Sequence, residues 1–551
     1  MEGSLGGGMI NVGACPASVS QPMPQSSHRR NHDWIESLEA KGDWQEACAE
    51  LRRLLQEGQR PADAEQLHRL GRLQQRLGAV DQARRAYLQA LWFDRQRPTT
   101  FNNLALLELA RLDAQQAESW LLQGLALPDL TDDQADLLHA TACELYLYRL
   151  CPERAMQHVE QQLRRRPSVM ALANRAVCHH KLGQFEQAVA IQHQAIILQL
   201  QQQAPALASL PMTELVARTL SDPAQSAQLQ VQLMNLGIYR LLCQPDDPEG
   251  LQLLLAGTAT HHASGMDARR SATRWQGEHV DQLILWDDQG YGDSIQNLGW
   301  IAEAAARTRT LRLWLRPSLL QLVQQRCRLP AHVILEPMTA DAEPWGQSTP
   351  QLGLFFLPMV LQRWPRQGAA PRPPWLRRPW RLGGQVPRKL GLVWSAGRHR
   401  APQPERSARV RDVPFEQLWD HAWGWQQQHD LQVLSLQIEG HEQPAVALQI
   451  EAGRLQPGLS SSDWLATAEC LEQLDLLVAV DTSVAHLAGA LGVPCVLLLS
   501  APADWRWGQA GGTTPLYSSV HLARCEARDA WHTALQQADH HVAAILAAGK
   551  P

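Results

Sequence analysis

No run of about 18 consecutive apolar residues occurs in the 551-residue sequence, so no segment reads as a membrane-spanning helix. Lysine is scarce: only Lys41, Lys181, Lys389 and Lys550 occur, and arginine supplies the rest of the positive charge. The formal net charge is −5 with both signs intermixed, so no basic face for nucleic acid is implied. No C-x-x-C pair is present. The ten cysteines are scattered and read as small buried residues in a reducing compartment. The opening "MEGSLGGGMINVGACPASVSQPMPQSSHRR" lacks the basic start and apolar middle of a signal peptide. Its Gly, Ser and Pro content predicts a disordered tail over 1–32, and the expected location is cytoplasmic. A chain of 551 residues exceeds one core, and two to four domains are expected.

The first third contains a repeat. When "LHRLGRLQQRLGAVDQARRAYLQAL" is laid over "FNNLALLELARLDAQQAESWLLQGL", Gly71 falls on Ala105, Ala83 on Ala117, Tyr87 on Leu121 and Ala90 on Gly124. Each offset is 34 residues. That period, with small residues where helices cross, predicts helix-turn-helix units of the tetratricopeptide type. Ala47, Ala155 and Ala188 extend the ladder to about five units across 33–200. Such a solenoid either holds a neighbouring domain in place or offers a groove to a peptide. His179 and His180 are adjacent and face different ways on a helix, so a solvated helix end is expected rather than a metal site. Residues 201–280 read as a helical connector with one further helix pair, "SAQLQVQLMNLGIYRLL" and "PEGLQLLLAG".

At 281 the period changes. "QLILW", "TLRLWL" and "AHVILE" are short apolar strands, separated by "DDQGYGDSIQNLGWIAEAAART" and "PSLLQLVQQR". Alternating strands and helices imply a mostly parallel sheet, with ligands at the carboxyl ends of its strands. The Pro-rich stretch 365–388 reads as a linker. The alternation restarts at "KLGLVWS" and runs through "LQVLSLQ", "DLLVAV" and "PCVLLLS" to a closing helix. The prediction is two Rossmann-like halves, 281–364 and 389–551, facing each other across a cleft.

The stretch "AVDTSVAHLAGALG" carries the chemistry. Asp481 is expected as the N-cap of a helix, with Thr482, Ser483 and their N–H groups at its start and His486 one turn in. A helix start with free donors and partial positive charge suits a phosphate. Ala485, Ala488, Gly489 and Ala490 let that helix lie close on its sheet. A capped helix with one buried histidine is the alternative reading of the same residues. The loop "SAGRHRAPQPERSARVRD" adds Arg398, Arg400, Arg406, Arg409 and Arg411, of which Arg398 and Arg406 are the expected phosphate ligands. Across the cleft, Asp293 follows a pair of glycines in "DDQGYGDSI". It reads either as a helix cap or as a carboxylate base.

These pieces resemble the heptosyltransferase-like glycosyltransferases of family 9, in a version fused to tetratricopeptide repeats. "DDQGYGDSIQNLGW", "KLGLVWSAGRHR", "LSLQ", "LEQLDLLVAVDTSVAHLAGALGVPCVLLL" and "APADWRWG" carry the likeness, over roughly 280–525. The resemblance implies an all-α tetratricopeptide solenoid followed by an α/β GT-B fold. It implies an inverting, metal-independent transfer of a sugar from a nucleotide-diphosphate donor to an acceptor hydroxyl. Asp293 matches the proposed general base, with Gly290 and Gly292 on the acceptor side. Asp481, Thr482, Ser483 and His486 match the segment contacting the donor's diphosphate, and Arg398 and Arg406 are expected beside them on the donor side. No metal or other cofactor is implied, the nucleotide sugar being a co-substrate. A protein or peptide acceptor in the repeat groove is the further expected partner. After "DWRWG" the chain departs from the family's usual acidic and Ser-Pro-Trp-Tyr continuation with "QAGGTTPLYSSVHLARCE", which leaves the donor's base and sugar contacts open. The alternative function is a tetratricopeptide scaffold whose transferase domain has lost its chemistry.

Overall fold

The computed structural model describes residues 34–60, 62–221, 227–258, 273–338, 348–363, 388–396, 411–459 and 463–548. The expected tail at 1–32, nearly all of the linker, and both Arg398 and Arg406 lie outside the described residues. The chain divides into two compact units, Met1–Leu145 and Tyr146–Pro551, with the division inside the helix Asp132–Tyr148.

The first unit is helical hairpins at the predicted spacing: Ala64–Arg76 with Val80–Phe93, then Pro98–Ala110 with Ala114–Leu125. Small residues sit where helices cross. A Cβ on Gly71 would lie 2.6 Å from the ring of Tyr87, which is itself fully buried. Ala47, Ala83 and Ala117 have no exposed surface. A larger side chain at any of these points would push two backbones apart.

The second unit begins with more hairpins, Pro152–Arg165, then Val169–Lys181 with Phe185–Gln203, in which Ala155 and Ala188 are again fully buried. His180 departs from the solvated role expected of it. Its ring packs 5.2 Å from Tyr239 and 6.3 Å from Phe185, and burial pulls its pKa down to about 3. The helices Ala227–Cys243 and Pro248–Gly257 pack backbone to backbone. A Cβ on Gly237 would lie 2.6 Å from the Leu254 nitrogen, and one on Gly257 only 2.3 Å from that of Met234.

Two all-parallel sheets follow. The first contains β1 (Val280–Trp286), β2 (Thr308–Leu315), β3 (Val333–Pro337) and β4 (Gln351–Gly353), in the order β3-β2-β1-β4. The second contains β5 (Arg388–Val393), β6 (Leu431–Ser435), β7 (Leu455–Pro457), β8 (Leu476–Val480), β9 (Cys495–Leu499) and β10 (Val520–Arg524), in the order β10-β9-β8-β5-β6-β7. The central strands β8 and β9 are buried at every residue, as strands covered on both faces must be. The stretch "IQNLGWIAEAAART" (295–308), expected as one amphipathic helix, is broken instead: its residues fall in Tyr291–Asn297, a 3₁₀ turn and Ile301–Ala305, and the end of the stretch enters β2.

The two sheets share one core, and polar contacts fix their relation. Arg326 pairs with Glu472, both largely buried, and Tyr291 packs 5.1 Å from Trp464. The repeat turns of the second unit are pinned to the second sheet by Arg528, whose guanidinium donates to the Leu150 and Lys181 carbonyls.

Candidate active site

The carboxyl ends of β1 and β8 bring two helix starts face to face. The helix Ser483–Leu491 follows β8, and the helix Tyr291–Asn297 follows β1. They approach so closely that a Cβ on Gly292 would lie 2.7 Å from His486 Cδ2. Glycine is required here by space. Gly292→Ala is expected to displace His486 and cost about 1–3 kcal/mol, as overpacking does. A urea-unfolding midpoint equal to that of the wild type would show that the contact is loose.

A cavity of about 230 Å³ opens at this junction. Gly290, Gly292 and Asp293 line it from one half. Arg411, Asp481, Thr482, Ser483, His486, Asp504, Arg506 and Trp507 line it from the other. The sequence-predicted residues Gly290, Gly292, Asp293, Asp481, Thr482, Ser483 and His486 are therefore brought together.

The three acids of "DDQGYGD" are sorted by their partners. Asp287 is locked: Arg316 donates to it at 2.5 and 2.7 Å, and Ser294 Oγ donates as well. Asp288 turns into the protein, where Oδ1 accepts the Phe355 N–H at 3.0 Å. Of the three, Asp293 is the one that lines the cavity. Its Oδ2 accepts the Gly290 N–H at 3.2 Å, so the capping role and the cavity role coexist in one side chain. Its Oδ1 accepts from Arg506 Nη2 at 2.5 Å.

On the facing helix one expectation is corrected. Asp481 does not cap it: Thr482 is the N-cap, in an extended conformation and with no side-chain capping bond. The Asp481 carboxylate instead meets Arg411 Nη1 at 3.5 Å and lies 3.9 Å from His486 Nε2. The N–H groups of Ser483, Val484 and Ala485 therefore lack an intrahelical acceptor. Thr482 Oγ1 is buried with no hydrogen-bond partner among the described residues. A helix start of this kind, with an unmatched hydroxyl beside it, suits an anion.

His486 is held on several sides. Nδ1 lies 3.0 Å from the Tyr517 hydroxyl, and the ring packs 5.0 Å from Trp507. A Cβ on Gly489 would lie 2.5 Å from the Tyr517 ring, so the small residue gives Tyr517 its place under the helix. Burial raises the Tyr517 pKa, which keeps its hydroxyl neutral. A hydroxyl donating to Nδ1 puts the imidazole proton on Nε2, toward Asp481 and the cavity. Burial lowers the His486 pKa below its ordinary 6.5, against the opposing pull of Asp481 and Asp293. The neutral ring is thus favoured by folding. Its contribution to stability is complete above pH 6.5 and is lost as pH falls toward the lowered value.

Several residues of the site were not foreseen. Arg506 lies in the turn Trp505–Trp507 after β9, with its guanidinium 5.2 Å from each of the Phe355 and Trp505 rings. It donates to Asp504 Oδ1 at 2.8 Å as well as to Asp293. Burial alone would lower its pKa, but Asp293 and Asp504 outweigh that and hold it fully charged. The Asp-Trp-Arg-Trp order at the carboxyl end of a strand was the signal available for it. Tyr517 comes from the segment "QAGGTTPLYSSVHLARCE", in which no site residue was expected.

No protein-family model matches this chain, and no curated protein matches it. Solved structures do. The crystal structure of MamA protein is 18% identical, with 30% of this chain and 89% of that chain covered and a TM-score of 0.26. A thermophilic TPR protein in Thermus thermophilus is 21% identical, with 32% and 91% covered and a TM-score of 0.27. The glycosyl transferase family 9 structure from Veillonella parvula DSM 2008 is 11% identical, with 50% of this chain and 99% of that chain covered and a TM-score of 0.35. The chain is similar to tetratricopeptide-repeat proteins over about a third of its length, and to a family 9 glycosyl transferase over half of it.

Proposed function

We propose that the protein is an inverting glycosyltransferase that moves a sugar from a nucleotide-diphosphate donor to an acceptor hydroxyl. One observation carries the reading: Asp293 and the uncapped start of the Ser483 helix line the same small cavity from opposite halves. Asp293 accepts the proton of the acceptor O–H. The oxygen attacks the anomeric carbon, and the bond from that carbon to the phosphate oxygen breaks. Its electron pair leaves on the diphosphate. The growing charge is met by the N–H groups of Ser483 to Ala485, by the Thr482 hydroxyl and by Arg506. A guanidinium and a helix dipole then do the work that a metal ion does elsewhere, which favours a metal-independent route.

The acceptor is proposed to be a protein. A second groove, of about 700 Å³, runs between the turns at Leu150–Glu153 and Lys181–Phe185 and the loops after β9 and β10. It is bounded by Ser500–Ala503 and Gln509, beside the Asp504–Trp507 segment that lines the small cavity. An open groove bordered by repeat turns is suited to a polypeptide segment more than to a compact small molecule.

A thermal-shift panel of nucleotide-diphosphate sugars tests the reading. Ligand at a hundred times its Kd adds about 2.7 kcal/mol to stability. At least one donor is therefore expected to raise the midpoint by several degrees. A panel covering uridine, guanosine, adenosine and cytidine donors with no shift at all overturns the proposal, and a partner-binding scaffold becomes the better account.

A further inference from the structure

The charges of the cleft are already matched to one another. Arg506 Nη2 binds Asp293 Oδ1 at 2.5 Å and Nη1 binds Asp504 Oδ1 at 2.8 Å. Arg411 binds Asp481 at 3.5 Å. The Arg506–Asp293 pair also bridges the two halves, with side chains only 15% and 22% exposed. This arrangement is at odds with the chemistry assigned to Asp293. The Asp293 oxygen engaged by the guanidinium has that lone pair occupied, so it is not free to take the proton of an acceptor hydroxyl.

Arg506 lines the same cavity as Thr482 and Ser483. A diphosphate seated on that helix start offers the guanidinium more negative charge than one carboxylate does, in a geometry it binds bidentately. Asp293 and the diphosphate therefore compete for one cation. Asp504 is the pivot: besides binding Nη1 it accepts the Arg506 backbone N–H at 3.1 Å, so the guanidinium can turn without leaving its anchor. The rings of Phe355 and Trp505 support the guanidinium through that motion.

We propose that Arg506 passes from Asp293 to the donor's diphosphate, so that nucleotide binding itself frees the base and the donor must bind before the acceptor. The inference rests on the transferase reading above. It adds that the base is switched off until the donor is in place, which guards a bound acceptor against futile deprotonation and fixes the order of binding.

The test uses calorimetric titration of the full chain with uridine, guanosine, adenosine and cytidine diphosphates, and it needs no knowledge of the acceptor. In the wild type part of the binding free energy goes into separating Arg506 from Asp293. Asp293→Asn is expected to tighten the best-bound diphosphate by about 10-fold, in keeping with couplings between close charge pairs. Arg506→Gln is expected to weaken it by about 10- to 100-fold. In the double variant the benefit of Asp293→Asn should vanish, because no guanidinium remains to be released. Arg506→Lys, which keeps the charge and guards against a folding defect, should fall between the two, with a circular-dichroism spectrum like that of the wild type. If Asp293→Asn tightens binding equally in both backgrounds, plain repulsion by Asp293 explains it and the hand-over is overturned. An unchanged affinity in Asp293→Asn also overturns it, while leaving the transferase reading intact. Absence of binding by all four diphosphates to the wild type overturns both.

Discussion

Asp293→Asn is expected to lower the release of nucleoside diphosphate from the preferred donor by about 10²- to 10⁴-fold, the usual worth of a positioned general base. Nucleotide binding should survive. Asparagine preserves the size of the side chain and an oxygen for the Gly290 N–H, which Asp293 holds at 3.2 Å, so the helix start is kept. What is lost is the ability to take a proton. The choice of acid is forced by the surroundings. Asp287 is closed off by Arg316 and Ser294, and Asp288 faces Phe355 inside the protein. Asp287→Asn should therefore act on stability through the broken Arg316 pair, not on the chemical step. Turnover is measured with whichever donor gives the largest thermal shift. Undiminished release in Asp293→Asn rejects the base, whatever the fate of the nucleotide site.

The parts of the molecule that the sequence foretold are those written in local periodicity. Alanines at the crossing points announce the helical hairpins, because only small side chains fit there. Ala47, Ala83, Ala117, Ala155 and Ala188 are all fully buried. The run "LDLLVAV" followed by small residues and "VPCVLLL" announces two buried parallel strands with a helix between them, found as β8, Ser483–Leu491 and β9. Strands of three residues, β4 and β7, leave too short a pattern to see. The site was half legible. Residues on one strand-to-helix turn are neighbours in sequence and could be grouped, as Asp481 to His486 were. Asp481 is not the cap because the helix begins one residue later, with Thr482 as N-cap, and the Asp481 carboxylate faces Arg411 instead. Arg506 reaches the cavity from the loop after β9, Tyr517 reaches His486 from the segment before β10, and only the order of strands in the sheet brings those segments to His486 and Asp293. Of the arginine-rich loop, Arg411 lines the cavity while Arg398 and Arg406 lie outside the described residues, and the arginine that meets Asp293 stands alone between two tryptophans.

Asp288→Asn carries the largest expected effect on stability, and its sign is opposite to that of most substitutions of buried residues. Asp288 is 7% exposed, and its Oδ2 has no hydrogen-bond partner among the described residues. A Cβ on Gly353 would stand 2.2 Å from that oxygen, so the β4 backbone is pressed against it. Burial is the main cause that pushes the carboxyl up to about 7 from 3.8. The Phe355 N–H opposes the rise, and the charges of Asp293 and Asp287 add to it. A carboxyl raised in the folded state holds its proton longer than in the unfolded chain, so stability falls as pH climbs from 3.8 through 7 and levels off above. At pH 8 the folded protein bears the full cost of a buried, half-paired carboxylate. Asparagine removes it while keeping an oxygen for Phe355. The variant should gain roughly 2–4 kcal/mol at pH 8 and less than about half as much at pH 5, read from urea-unfolding midpoints. Equal gains at both pH values would mean that the charge is not what Asp288 costs. Phe355, which Asp288 holds by its backbone, carries on its ring the Arg506 guanidinium that meets Asp293. An acid buried at a cost two contacts from the proposed base is the kind of instability that functional sites retain, and its removal would separate what this loop does for the fold from what it does for the proposed chemistry.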